Sequence, residues 1–270
     1  MNDDRRRRPA TARTLQLGEV KISYVPDGAV QLVARAWFPG APAAAWAEHA
    51  AWLDETGHLS AGIGGLLIQR DGRAMLVDTG FGPQRIPASS TIAPLGELWG
   101  GGLPESLRAL GVAPGDIDTV AITHLHDDHT GWAWRGDFFP QARFVATRAE
   151  WGATRRARGA GAADGDEIFP GVRLIELPGH TPGHAGYLLT VGEQRLLAFG
   201  DALHSPLQIA QPDWGAASDA RPELALKSRE RVLSELRVPG TIGYGNHFAD
   251  VVFGRLTEAP GQDPQWEPVA

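Results

Sequence analysis

The sequence predicts an α+β protein, within the broad α/β class, in which two β-sheets pack face to face under a covering of helices. Strand signals come in pairs joined by tight turns. Gly65 to Ile68 and Ala74 to Val77 flank Asp71-Gly72, and Tyr187 to Val191 returns along Arg195 to Phe199 after Gly192-Glu193. Ile117 to Thr123 and Arg143 to Ala146 are apolar enough to lie inside a sheet. Helical stretches interrupt these strands, and such a mixture is stable when the sheets share one core and helices cover their outer faces.

Val20 to Val25 reads as a further short strand. Pro104 to Leu110 reads as a helix, with leucines at 103, 107 and 110 and a stop at Gly111. Pro222 to Leu236 carries Leu224, Leu226, Val232, Leu233 and Leu236 among many charges, the pattern of an amphipathic surface helix. Residues 1–14 and Thr257 to Ala270 read as flexible tails. Trp37 to Gly64 and Phe81 to Gly102 read as long loops, rich in tryptophan and glycine. No repeat or linker divides the 270 residues convincingly, and their number permits one large domain or two small ones.

Composition removes several function classes. With 25 lysines and arginines against 32 aspartates and glutamates, the formal charge is −7, and such a surface repels phosphate backbones. Nucleic acid is therefore not expected as a partner. Arg5 to Arg8, the one basic cluster, reads as part of a solvated arm. There is no cysteine, which excludes disulfides, thiolate ligands and a cysteine nucleophile. No apolar run approaches the roughly 20 residues of a membrane helix, and no apolar segment follows the arginines as in a signal peptide. A cytoplasmic protein acting on a small molecule is expected, and a homodimer is compatible with the sequence.

The chemistry concentrates in Thr123-His124-Leu125-His126-Asp127-Asp128-His129-Thr130-Gly131, directly after an apolar strand. So many imidazoles and carboxylates packed together would desolvate and repel one another unless a cation compensated them. Imidazole with carboxylate suits Zn²⁺, Mn²⁺, Fe²⁺ or Co²⁺. His124 and His126 alternate along an extended backbone and can face one ion. Asp128 and His129 follow at the turn and can face another. Leu177-Pro178-Gly179-His180-Thr181-Pro182-Gly183-His184, Phe199-Gly200-Asp201 and Tyr244-Gly245-Asn246-His247 supply further ligand types from loops and strand ends.

Taken in order, HLHDDHTG, GHTPGH, GD and GNH resemble the metallo-β-lactamase superfamily, and Met75-Leu76-Val77-Asp78-Thr79-Gly80 is similar to its first motif. The resemblance runs from about residue 20 to about residue 256, nearly the whole chain, and so implies a single domain over 1–270. It implies an αββα sandwich of two mixed sheets with the site at one edge. It also implies a dinuclear centre, most commonly of zinc. His124, His126 and His184 would hold the first ion, Asp128, His129 and His247 the second, and Asp201 would bridge them. It leaves His180 as a turn residue and places Asp78 behind a ligand, where it would orient it. The stretch Gly200 to His204 is similar to branches that hydrolyse lactones or phosphotriesters, which puts His204 near a leaving group or behind a ligand.

The implied activity is hydrolysis. Two metals hold a water and lower its pKa from about 15.7 toward 7, and Asp128 or Asp201 moves the proton. An ester-type bond, a lactone first, is expected, because Trp132 and Trp134 follow the motif and Trp37, Trp46, Trp52 and Trp99 lie in the two loops, forming an aromatic rim with few cations. Trp151 is assigned to the core. A thioesterase or carboxylesterase acting on a biosynthetic intermediate is the hydrolytic alternative. A mononuclear iron oxygenase and a non-catalytic binding protein are alternatives of other classes, and the complete set of second-metal positions argues against both. The absence of cysteine, with aspartate at the bridging position, argues against antibiotic hydrolysis.

Overall fold

The computed structural model describes residues 3–155 and 159–269. One sheet contains β1 (Arg13–Leu17), β2 (Val20–Leu32), β3 (Leu59–Arg70), β4 (Arg73–Val77), β5 (Arg85–Ile86), β6 (Leu95–Trp99), β7 (Thr119–Ala121), β8 (Arg143–Thr147) and β9 (Ala160–Ala162). The other contains β10 (Glu167–Phe169), β11 (Val172–Glu176), β12 (Ala185–Val191), β13 (Gln194–Ala198), β14 (Thr241–Tyr244), β15 (Phe253–Thr257) and β16 (Gln265–Pro268). Both are mixed: β4, β7, β8 and β9 run parallel in the first, and β13 with β14 in the second. The helices are α1 (Ala34–Trp37), α2 (Ala45–Glu48), α3 (Leu103–Ala109), α4 (Asp127–Thr130), α5 (Arg148–Gly152), α6 (Leu207–Ala210) and α7 (Pro222–Leu236). Among the described residues, no helix is long and apolar enough to cross a membrane.

Strand alternation sorts side chains between layers. Met75 and Val77 of β4 join Tyr187 and Leu189 of β12 and Leu196 and Ala198 of β13 in the core between the sheets. Their neighbours Ala74 and Leu76 face outward beneath Leu103 and Leu107 of α3. Leu197 and Phe199 on the second sheet are covered by Val232, Leu233 and Leu236 of α7. Both anticipated hairpins form. Asp71 and Gly72 take φ values of 51° and 72°, as a two-residue turn of that hand requires. Val191 pairs with Gln194 across Gly192-Glu193.

The expected strand over Val20 to Val25 continues to Leu32, because a register shift between Pro26 and Gly28 absorbs the proline. At that irregularity the buried Asp27 carboxylate accepts from the Phe81, Gly82, Gly101 and Leu103 amides and from Trp132 Nε1. It thereby gathers the loop after β4, the start of α3 and the segment after α4. Asp27→Ala leaves these donors unpaired, and urea unfolding should show a loss of about 3 kcal/mol or more. A loss below about 1 kcal/mol would remove Asp27 as the organiser of these loops.

Of the expected N-terminal tail, residues 3–14 are tied down, since β1 pairs with β2 from Arg13 to Leu17, and Arg5, Arg8 and Arg13 all bind Asp250. Arg5 to Arg8 is therefore not a purely solvated arm. The C-terminal stretch is not a tail either: β16 pairs with β15, and the Trp266 indole donates to Val251 O. Trp266 fits because Gly254 lies beneath it, where a Cβ would come within 2.4 Å of the ring. The prolines and glycines there mark turns around an edge strand. The loop from Trp37 to Gly64 in turn contains α2 and the first half of β3, a strand whose Gly62, Gly64 and Gly65 hide its pattern.

Candidate metal centre and its cavity

The carboxyl ends of β4, β7, β13 and β14 converge on one edge of the sandwich and deliver Asp78, His124, Asp201 and His247 respectively. His124, His126, His180 and Asp201 form one group whose potential ligand atoms all lie within 4.8 Å of one another, and Asp128, His129 and His247 form a second. Asp201 joins the two. Its Oδ2 lies 3.4 Å from His180 Nε2 and 3.7 Å from His124 Nε2, and its Oδ1 lies 3.2 Å from both His129 Nε2 and His247 Nε2.

These contacts do not satisfy one another. His126 Nδ1 lies 2.9 Å from His124 Nε2 and 3.1 Å from His180 Nε2, so three ring nitrogens aim at one point. His129 Nε2 and Asp201 Oδ1 are buried without a hydrogen-bond partner. Buried polar atoms are rarely left unpaired in folded proteins, and a cation between these lone pairs is the arrangement that satisfies them all. The residues therefore fit metal ions in both groups.

His184 does not take the position expected of it; His180 does. His184 directly precedes β12, and its Nδ1 donates to Leu177 O at 3.0 Å while its Nε2 accepts from the Asp201 amide at 2.9 Å. Both ring nitrogens are used, so His184 shapes the turn that presents Asp201. Gly200 in that turn has φ 52°, and a Cβ there would come within 2.6 Å of His184 Nε2.

The ligands are held from behind. Asp78 accepts from the Thr123 amide and hydroxyl and lies 2.8 Å from His129 Nδ1. Asp219 lies 3.2 Å from His180 Nδ1 and is itself held by the buried Arg229 at 2.9 Å. Glu150 accepts from the Leu125 amide, the Thr181 hydroxyl and the Gly183 amide, clamping the two histidine loops together. Sequence reasoning missed Asp219, Arg229 and Glu150. The sequence signal for Glu150 was its place beside Thr147, which caps α5; nothing local marks the other two.

Electrostatics sort the imidazoles. Burial, and then His129, hold His124 well below the usual range. Burial also lowers His184 to about 3 and His204 to about 4. Burial opposes charge on His129 as well, but Asp201, Asp128 and Asp78 outweigh it and hold His129 well above the usual value. The Asp201 carboxyl is held well below its usual range by His129 and His247, against its burial.

A cavity of about 570 Å³ opens over these residues. His126, Asp128, His180, Asp201, His204 and His247 form its polar floor, and Val30, Leu32, Ile86, Ile92, Pro94, Leu95 and Leu98 its aliphatic wall. His204 Nε2 lies 3.1 Å from Asp201 Oδ2. Its ring meets the edge of Trp37, the one tryptophan in the cavity wall. Trp132 and Trp134 do not line it. Trp132 is tied to Asp27 and packs on Phe138, while Trp134 packs on Trp151. Trp46 stacks behind the wall on Phe38, and Trp52 and Trp99 lie under Arg6 and Arg85. The expected aromatic rim is thus an aliphatic wall from β2 and the β5–β6 excursion.

A model of the metallo-beta-lactamase superfamily matches residues 66–242, and the chain belongs to that superfamily. Over 185 residues it is 30% identical to N-acyl homoserine lactonase AiiB of Agrobacterium fabrum, a match covering 56% of this chain and 66% of that one. The chain thus spans just under two thirds of that relative's length. Its fold is similar to that of AidC, a dizinc quorum-quenching lactonase, with a TM-score of 0.81 at 19% identity over 97% of this chain and 98% of that one. It is equally similar to the hydrolase AbOPH, with a TM-score of 0.81 at 23% identity over 98% and 99%. At these identities the likeness concerns the fold, which is the αββα sandwich of two mixed sheets that the motifs implied.

Proposed function

We propose that this protein is a dinuclear zinc hydrolase that opens a lactone bearing an apolar acyl chain. The observation that carries this reading is the Asp201 carboxylate, whose two oxygens face two separate sets of ligand atoms at the floor of an aliphatic cavity. His124, His126 and His180 would hold one ion, and Asp128, His129 and His247 the other, with Asp201 shared. Ions bound there supply an acidified water and an electrophile for the ester oxygen. Asp128 lines the cavity with a quarter of its side chain exposed, and it would take the proton of the attacking water and pass it to the leaving alkoxide. Water adds to the carbonyl carbon, the ring C–O bond breaks, and a hydroxy acid leaves with net release of a proton. The lactone relatives, the aliphatic wall and the scarcity of cations beside it together support this substrate class.

Proton release by the zinc-loaded protein, with a chelated sample as control, tests the reaction against lactones, simple esters, thioesters, phosphotriesters and a β-lactam. Metal-dependent release on acylamino-γ-lactones is expected. Release confined to thioesters would replace the substrate class, and oxygen consumption by an iron-loaded sample would replace the reaction. The acyl site has its own test at Ile92, which is 77% exposed at the cavity mouth. Ile92→Glu should raise KM about tenfold for a decanoyl substrate, the scale of one lost aliphatic contact, and leave a butanoyl one unchanged. Equal effects on both would detach this wall from the acyl chain.

A further inference from the structure

We propose that residues 5–13 form a strap that sets the position of His247, with Asp250 as the positioning residue; the inference rests on the two-metal reading above. His247 stands in the loop over 245–252, between β14 and β15. On its inner side, Nδ1 faces the Gly62 carbonyl at 2.7 Å, which turns Nε2 toward Asp201 and Asp128. Within the loop, the Phe248 amide donates to Gly245 O and the Val251 amide to Phe248 O. Ala249 takes φ 46°, a left-handed conformation that alanine rarely adopts and that must be held from outside.

The hold comes from the N-terminal segment. The Asp250 side chain is fully buried and receives two guanidinium groups. Arg8 places Nη2 at 2.9 Å and Nε at 3.1 Å from Oδ2, and Arg13 places Nη2 at 2.7 Å and Nε at 3.1 Å from Oδ1. The Thr11 amide adds a bond to Oδ1 at 3.2 Å. The main chains are joined as well: the Asp250 amide donates to Arg5 O at 3.0 Å, and Arg5 Nε donates to Asp250 O at 2.9 Å. Charge-assisted bonds to a buried carboxylate are the strong kind, and they converge three residues from a ligand histidine. The strap also holds the segment that leads into β3, where the Arg6 guanidinium lies 4.9 Å from the centre of the Trp52 ring and Arg7 Nε donates to Ala51 O. Arg6, Trp52, Ser205 and Ala249 line a narrow cleft behind His204 and His247. The strap therefore closes the rear of the centre on the side of the second ion.

Two variants of the full chain test this. Arg8→Gln alters a half-exposed side chain and leaves the core intact; Asp250→Asn keeps the shape and removes the charge. Zn²⁺ binding is read by native mass spectrometry with chelator competition, and the hydrogen exchange of residues 245–252 is read in the metal-free protein. The expected result is a second zinc bound about 10–100-fold more weakly, the scale of losing support behind a ligand, with the first zinc kept within about twofold and faster exchange confined to 245–252. Equal weakening of both zincs would show general destabilisation and overturn the strap, as would unchanged exchange. If the unaltered protein bound fewer than two zinc ions, the two-metal reading would fall, and exchange over 245–252 would decide the strap alone.

Discussion

His180→Ala should empty the first metal position and lower kcat/KM by about 10³-fold, while His184→Ala should keep both ions and lose about tenfold. Two histidines four residues apart in one GHTPGH loop are thus expected to differ by two orders of magnitude, for reasons visible in their partners. His180 points its Nε2 at His126 Nδ1 and Asp201, with Nδ1 on Asp219, so removing it takes away a ligand and leaves Asp219 held by Arg229 and the Ala216 amide alone. His184 has no nitrogen to spare, and its loss leaves the Asp201 amide without an acceptor, which costs about 1–3 kcal/mol and tilts the bridging carboxylate. Metal content by mass spectrometry and turnover in the same samples separate the two roles. Retention of both ions in His180→Ala, with loss in His184→Ala, would reverse the assignment and with it the geometry of the centre.

That pair also shows how far the sequence could be read. The layered fold was legible because turn signals at Asp71-Gly72 and Gly192-Glu193 join paired apolar stretches, and α7 spaces its apolar residues among charges. His124, His126, Asp128 and His129 were legible because a short motif at the end of a strand fixes their directions locally. The GHTPGH loop was not, since the choice between His180 and His184 is made by contacts with Asp201, Asp219 and Leu177 that only the assembled chain brings together. Asp219 and Arg229 act across 39 and 10 residues of chain respectively, so only the assembled fold shows what they touch. The tryptophans misled for a related reason. A large ring near a motif packs wherever a partner exists, and Trp132 and Trp134 found theirs in Asp27, Phe138 and Trp151. The aliphatic residues that do line the cavity lie on β2 beyond the expected strand end at Val25 and within the Phe81 to Gly102 stretch that reads as a loop, so no sequence pattern marks them as a wall. The terminal strands were hidden by proline, glycine and arginine, whose partners lie more than 200 residues away.

Stripping the metals should abolish turnover and lower the melting temperature by about 10 °C, and Asp201→Asn should reproduce most of both effects with metal present. Without a cation, the folded state keeps His129 Nε2 and Asp201 Oδ1 buried and unpaired, and brings His124, His126 and His180 nose to nose. The unfolded chain carries none of these conflicts, so binding that relieves them stabilises only the folded state. Free metal at a thousand times Kd contributes about 4 kcal/mol, and for a domain of this size each kcal/mol moves the midpoint by about 2–4 °C. Asp201→Asn replaces one charged oxygen of the bridge with an amide NH₂ that repels a cation, so it should weaken the second ion, lower kcat about 10³-fold, and flatten the dependence of melting temperature on zinc. Calorimetry across a zinc series, with turnover read on the same samples, measures all three. Full activity in Asp201→Asn with a single ion bound would end the two-metal reading, because the residue that joins the two sets would then be dispensable to the reaction.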